Sequence, residues 1–232
     1  MYRKLVFVSL IILTLAACSN ATQTPVPPPT GAAVAAPEAI IPTAITPTTG
    51  DDIRAYGFLP DKTTASYEVG EVFINEGNKY NLAIGRTGAV SGDIALNFTH
   101  PEQSTVGVIT VDISTLTSDS RRRDDRIRNE WLESATYPLA TFTGTEVKGL
   151  PSSYQPGTEI TFELVGDLKV REMTRSTTFT VKAKLENEAL SGEATTMILM
   201  TDFGFDPPDI AGILKAENEA KLVLKFVAAP IQ

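Results

Sequence analysis

The feature that most constrains this chain is two-residue alternation of apolar and polar side chains, repeated run after run from Ala65 to Ala228. In the clearest run, Thr177 to Leu185, Phe179, Val181, Ala183 and Leu185 share one parity, while Thr178, Thr180, Lys182 and Lys184 share the other. Only a strand puts successive side chains on opposite faces, so this pattern buries one face as β-structure. The same holds in Ile160 to Val170 (Phe162, Leu164, Leu168), Lys221 to Ala228 (Leu222, Leu224, Phe226), Ser91 to Phe98 (Ile94, Leu96, Phe98) and Ala65 to Ile74 (Tyr67, Val69, Phe73). Tyr80 to Ile84, Ala140 to Val147 with Phe142, and Ala194 to Thr201 add three more runs. Thr105 to Ile113 is apolar on both parities and reads as well buried. Gly, Asn and Pro punctuate the runs. A long antiparallel sheet curls shut because closure removes its edges. The expected fold is therefore all-β: a closed or nearly closed, lipocalin-like antiparallel barrel of about eight strands. Such a barrel holds packed side chains or one small ligand. Alternation alone does not separate a solid core from a lined cavity, because both need an apolar interior.

One segment breaks the alternation. Ser118, Asp119 and Ser120 offer side-chain oxygens to the free N–H groups of a helix start. Beyond the charged run Arg121 to Asp125, Ile127, Trp131 and Leu132 form a narrow apolar stripe. Tyr137-Pro138 lies past the end, because the residue before a proline is pushed out of the α region. A single short helix with one apolar stripe, set into a β chain, is expected to plug the open end of the curled sheet. Five arginines (Arg121, Arg122, Arg123, Arg126, Arg128) fit either a phosphate head group, through bidentate bonds, or a solvated face partly neutralised by Asp124, Asp125 and Glu130.

Charge and composition exclude whole classes of function. A net charge of −8 argues against nucleic acid as a partner. One Cys and one His allow neither a disulfide framework nor a Cys/His zinc site, and His100 precedes Pro101 in a polar turn. Asp202-Phe203-Gly204 reads as a strand-to-loop junction and Asp206-Pro207-Pro208-Asp209 as a stiff turn. The inward parity supplies almost no nucleophile or acid–base pair, so no catalytic residue, metal or cofactor is assigned beyond a bound lipid.

Ahead of the barrel, Arg3 and Lys4 precede an apolar run, Leu5 to Leu15, too short to span a bilayer. Leu15-Ala16-Ala17-Cys18 resembles the lipobox of bacterial lipoproteins, which implies a signal peptide over 1–17 and a diacylglycerol on Cys18. Residues 18–51 are rich in Pro, Thr and Ala with almost no charge, and read as a disordered linker. At about 3.1 Å per residue it would reach roughly 100 Å from a membrane at full stretch. The folded domain is expected over 52–232.

Three stretches resemble the YceI-like family of periplasmic, lipocalin-like proteins. Asp112-Ile113-Ser114-Thr115-Leu116-Thr117 runs into Arg123-Asp124-Asp125-Arg126, then Tyr137-Pro138 and Thr141-Phe142, like the family's strand, RD-containing helix and YP-x-x-TF segment. Gly166-Asp167-Leu168-Lys169-Val170-Arg171-Glu172-Met173-Thr174-Arg175 is similar to its hairpin, and Asp202-Phe203-Gly204-Phe205 to its D-F-G motif. The resemblance implies a non-catalytic barrel whose apolar lumen holds a long-chain lipid, a polyisoprenoid or a fatty-acyl amide, for sequestration or transport in the cell envelope. The inward residues above would line that lumen together with Trp131, and Arg123 and Arg126 would stand near a head group. The family is also compatible with a homodimer. Departures at Lys62-Thr63, Arg126, Trp131-Leu132 and Glu172 fall near the expected ligand entrance. The competing readings are a solidly packed envelope interaction module and a lipid-acting hydrolase or isomerase.

Overall fold

The computed structural model describes residues 50–231, so Cys18 and the linker up to Thr49 lie outside the described residues. Fourteen antiparallel segments form one sheet. The first seven are β1 (Ile53–Phe58), β2 (Thr64–Phe73), β3 (Lys79–Thr87), β4 (Val90–Ser91), β5 (Asp93–Asn97), β6 (Thr105–Val106) and β7 (Val108–Asp112). After the helix come β8 (Leu139–Lys148), β9 (Glu159–Val170), β10 (Met173–Glu186), β11 (Ala189–Leu199), β12 (Asp209–Ile210), β13 (Leu214–Ala216) and β14 (Glu219–Pro230).

The long strands β8 to β11 and β14 pair in sequence as one wall. Val181 stands in register with Phe162 on one side and Ala194 on the other, so inward residues form level rows. The far edge of β14 is shared: Lys221 to Lys225 pair with β2, and Ala228 to Pro230 with β1. Between β1 and β2 the chain makes one turn at Pro60–Lys62, pinned by the Leu59 N–H donating to the Val227 carbonyl at 2.8 Å. From β1 the circuit continues through β5 to β6, which runs through Gly107 into β7, and β7 pairs with β8. The circuit is thereby completed around a main apolar core, with a smaller cluster of Val69, Met200, Ala216 and Ala220 beside it.

Two strand expectations are corrected. Thr105 to Ile113 is not a continuous buried strand: it bends at Gly107, and Val108 is half exposed, because the outer face of the barrel meets solvent. The second is β1, a strand ahead of the first expected run, which carries only Tyr56 and Phe58 on its inward parity.

The helix forms where the cap and apolar stripe place it. Arg121–Arg126 is α-helical, and the Ser120 hydroxyl accepts from the Arg123 N–H. It continues as a π turn over Ile127–Trp131, closed by the Leu132 N–H donating to the Ile127 carbonyl at 2.8 Å. The wider turn brings Ile127, Trp131 and Leu132 together over the end of the barrel.

Candidate ligand-binding lumen

Two apolar cavities, of about 220 Å³ and 170 Å³, open into the barrel interior. The first lies under the helix and is walled by Tyr67, Val69, Phe142, Phe179, Leu224 and Trp131, among others. The second lies toward the opposite end, walled by Leu96, Phe162, Val181 and Phe226, with Phe98 on its margin, 37% exposed. Leu164 faces both. Phe73 lines neither: it pairs with Leu214 and Lys79, where β2 runs on past the lumen to meet β13. Parity placed it inward, but the strand is longer than the cavity.

Three inward glycines permit close approach of a neighbouring ring and, at Gly166 and Gly192, of the Thr143 and Lys182 carbonyl oxygens as well. Gly85 stands opposite Tyr67, Gly192 opposite Phe226, and Gly166 two residues along from the partner of Phe142. A Cβ at these positions would meet the Tyr67 ring at 2.2 Å, the Phe226 ring at 2.7 Å and the Phe142 ring at 2.5 Å. Each ring therefore lies across the neighbouring strand rather than upright in the lumen. A strand glycine marks such close approach. Phe142 then meets Phe179 edge-on, with centroids 5.0 Å apart. Gly166 sits on the inward parity of its run, whereas Gly85 and Gly192 fall just outside the runs that alternation marks.

Glu71 is the one charged residue among those lining the two cavities. It is 6% exposed and held by Arg123 through two bonds, Nε to Oε1 at 3.1 Å and Nη2 to Oε2 at 3.0 Å. Asn81 donates to the same carboxylate at 3.3 Å. Arg123 also reaches Asp119 and the Ser118 hydroxyl. Burial opposes its charge, but the bonds to Glu71 and Asp119 outweigh burial and hold the guanidinium above its ordinary value. Beside it, burial drives the Tyr67 phenol far above the usual tyrosine range. Asp124, also buried, accepts from the Ser118 N–H at 2.9 Å and hydroxyl at 2.6 Å. Arg123 is thus spent on tying the helix to β2, not free for a head group. Arg126 pairs with Glu130 at 3.0 Å and stacks over Trp131 at the rim. Sequence reading passed over Glu71, although it shares the inward parity of Val69 and Phe73.

The hairpin joining β9 and β10 is fastened to the same end. Arg171, in the left-handed region at φ 55°, donates to the Trp131 carbonyl at 3.2 Å and pairs with Glu133. Tyr137 donates to Glu172 at 2.7 Å. At the opposite end Leu150, Pro151 and Tyr154 line the second cavity.

Comparison with known proteins agrees with this geometry. The fold matches the crystal structure of Burkholderia cenocepacia BcnA at a TM-score of 0.58 and 15% identity, covering 74% of this chain and 99% of that one. It matches a polyisoprenoid binding domain from Saccharophagus degradans at 0.57 and 13%, covering 77% and 99%. A Campylobacter jejuni YCEI protein follows at 0.52 and 14%, covering 64% and 84%. No curated protein matches the sequence. The family model for the YceI-like domain matches residues 58–228, and the chain belongs to that family.

Proposed function

We propose that this protein binds a long-chain hydrophobic ligand in its lumen, a polyisoprenoid or fatty-acyl lipid, and sequesters or hands it over without chemistry. The observation that carries this reading is the pair of apolar cavities along the barrel, with aromatics folded over glycines beside them. Each buried CH₂ of a ligand would gain about 0.8 kcal/mol, so a chain of about ten carbons is worth several kcal/mol before association costs, with no charged anchor required. The polyisoprenoid binding domain from Saccharophagus degradans, of the same fold, supports the ligand class. Glu71 is tied up by Arg123, and Tyr67 stays protonated, which leaves the lumen poorly equipped for acid–base work. The helix and its neighbouring turns would gate the entrance.

The lipobox-like segment ending at Cys18 and the linker after it supply a tether, so the barrel would work on the extracytoplasmic side of a bacterial membrane. Mass spectrometry of the cell-derived protein should find an acylated N-terminal Cys18, and Cys18→Ser should release the protein from membranes. For the lumen, farnesol or a fatty amide should bind the full chain. Phe179→Arg, with its circular dichroism unchanged, should abolish uptake. Equal binding by that variant would place the ligand outside the lumen and refute the reading.

A further inference from the structure

One long strand has no neighbour along its outer side. β3 pairs with β2 from Lys79 to Thr87 in unbroken register, and its one other backbone pairing among the described residues is a bridge from Arg86 to Thr117. The remaining strands with a single neighbour, β4, β6 and β12, run two residues each. The Arg86 N–H donates to the Thr117 carbonyl at 2.8 Å and the Thr117 N–H to the Arg86 carbonyl at 3.0 Å, so both backbone groups of Arg86 point away from β2. A strand repeats every two residues, so those of Tyr80, Leu82 and Ile84 point the same way. Their side chains stand on the outer face, since Ala83, of the other parity, lines the lumen. Tyr80 is 58% exposed and Leu82 45%. Sheet edges are ordinarily blunted by charge, proline or a bulge. Tyr80 to Gly85 carries neither charge nor proline, and its register with β2 shows no bulge.

We infer that the free edge of β3 is a docking site for an extended peptide segment of another protein, which joins the sheet as one more strand. The N–H and carbonyl groups of Tyr80, Leu82 and Ile84, set in line, select a strand over a bilayer, whose hydrocarbon would leave them unsatisfied. The partner sets apolar side chains opposite these three residues, at every second position. Thr117 stops it at Arg86, so the segment spans Lys79 to Gly85 at most. The uncharged stretch lies between two exposed basic residues, Lys79 and Arg86, which suits acidic residues at the ends of the partner. Lys79 has only a loose pair with exposed Glu76, at 3.5 Å. A second copy's β3 would bring basic beside basic at each end, in either direction. Residues 18–49 carry seven prolines, which lack the N–H that an added strand donates. Tyr80 and Leu82 line neither cavity, so this site is separate from the lumen.

The test adds the acetylated, amidated peptide Glu-Val-Thr-Val-Thr-Val-Glu to the purified full chain and reads amide hydrogen exchange residue by residue by NMR. Without peptide, the amides of Tyr80, Leu82 and Ile84 should exchange freely, while those of Asn81 and Ala83, which face β2, are protected. Peptide should protect the first three and leave the other two as they were, an alternation that apolar contact alone does not produce. Leu82→Lys and Tyr80→Lys, both at exposed positions, should keep the circular dichroism of the unaltered protein and weaken peptide binding at least about tenfold. No protection by the peptide, equal protection of all five amides, or undiminished binding by both variants would overturn the proposal. So would protection already present without peptide. If it were the same at every protein concentration, the edge would belong to residues 18–49 of the chain itself; if it grew with concentration, to a second copy.

Discussion

The two ends of the lumen are built by different means. At the helix end, charged and polar bonds fasten an apolar stripe in place: Arg123 clamps Glu71, Ser118 holds Asp124, Arg171 reaches Trp131, and Arg128 donates to the Leu116 carbonyl at 2.8 Å. At the far end a loop packs apolar residues, and one hydroxyl organises it. The Tyr154 hydroxyl accepts from the Leu185 N–H at 2.8 Å and lies 2.8 Å from the Thr158 carbonyl.

The comparison is sharpest at Arg123. Arg123→Ala leaves Glu71 buried against an apolar lumen with only Asn81 for a partner, and should cost about 3 kcal/mol of stability in denaturant titration. Replacing both partners together, Arg123→Leu with Glu71→Leu, should recover most of that loss, because an apolar pair suits the surrounding cavity. Failure to recover would mean that the clamp does more than offset its own desolvation. At the far end, Tyr154→Phe strips the Leu185 N–H of its acceptor and should cost about 1 kcal/mol. Hydrogen exchange should quicken around Leu150 to Thr158 and stay unchanged around the helix. Faster exchange at both ends would erase the distinction.

The smallest effect is confined to alkaline pH. Burial holds the Tyr67 phenol protonated well above the ~10 of a free tyrosine. As pH rises past ~10 the unfolded chain releases this proton first, so stability that is fully present below that value is progressively lost above it. Tyr67→Phe has no such proton. Its unfolding midpoint should match the unaltered protein near neutrality and fall less steeply above pH ~10. Identical alkaline limbs would place the phenol in water.

Much of this was legible in the sequence for a physical reason: strand parity is local. Phe179, Val181, Phe162 and Leu224 declare their face within a few residues, and all line the lumen. The helix was legible from its cap at Ser120 and its stop at Tyr137-Pro138, and its stripe of Ile127, Trp131 and Leu132 does plug the barrel. What parity cannot give is where a strand outruns the cavity, as at Phe73, or where a chain bends, as at Gly107. Nor does it give long-range partners. Arg123 and Glu71 stand 52 residues apart, with no local pattern to join them. How closely the rings lie against the wall turned on Gly85, Gly166 and Gly192, whose meaning depends on the ring beside each on the neighbouring strand.

The most direct measurement is native mass spectrometry of the full chain, purified gently from its own cells with lipids unstripped, followed by organic extraction. The expected result is a discrete added mass that leaves on denaturation and is recovered as a single-chain hydrophobe. A clean mass of protein alone, with no uptake of prenyl or acyl probes, would contradict the carrier reading and leave a barrel that serves as an interaction module of the envelope.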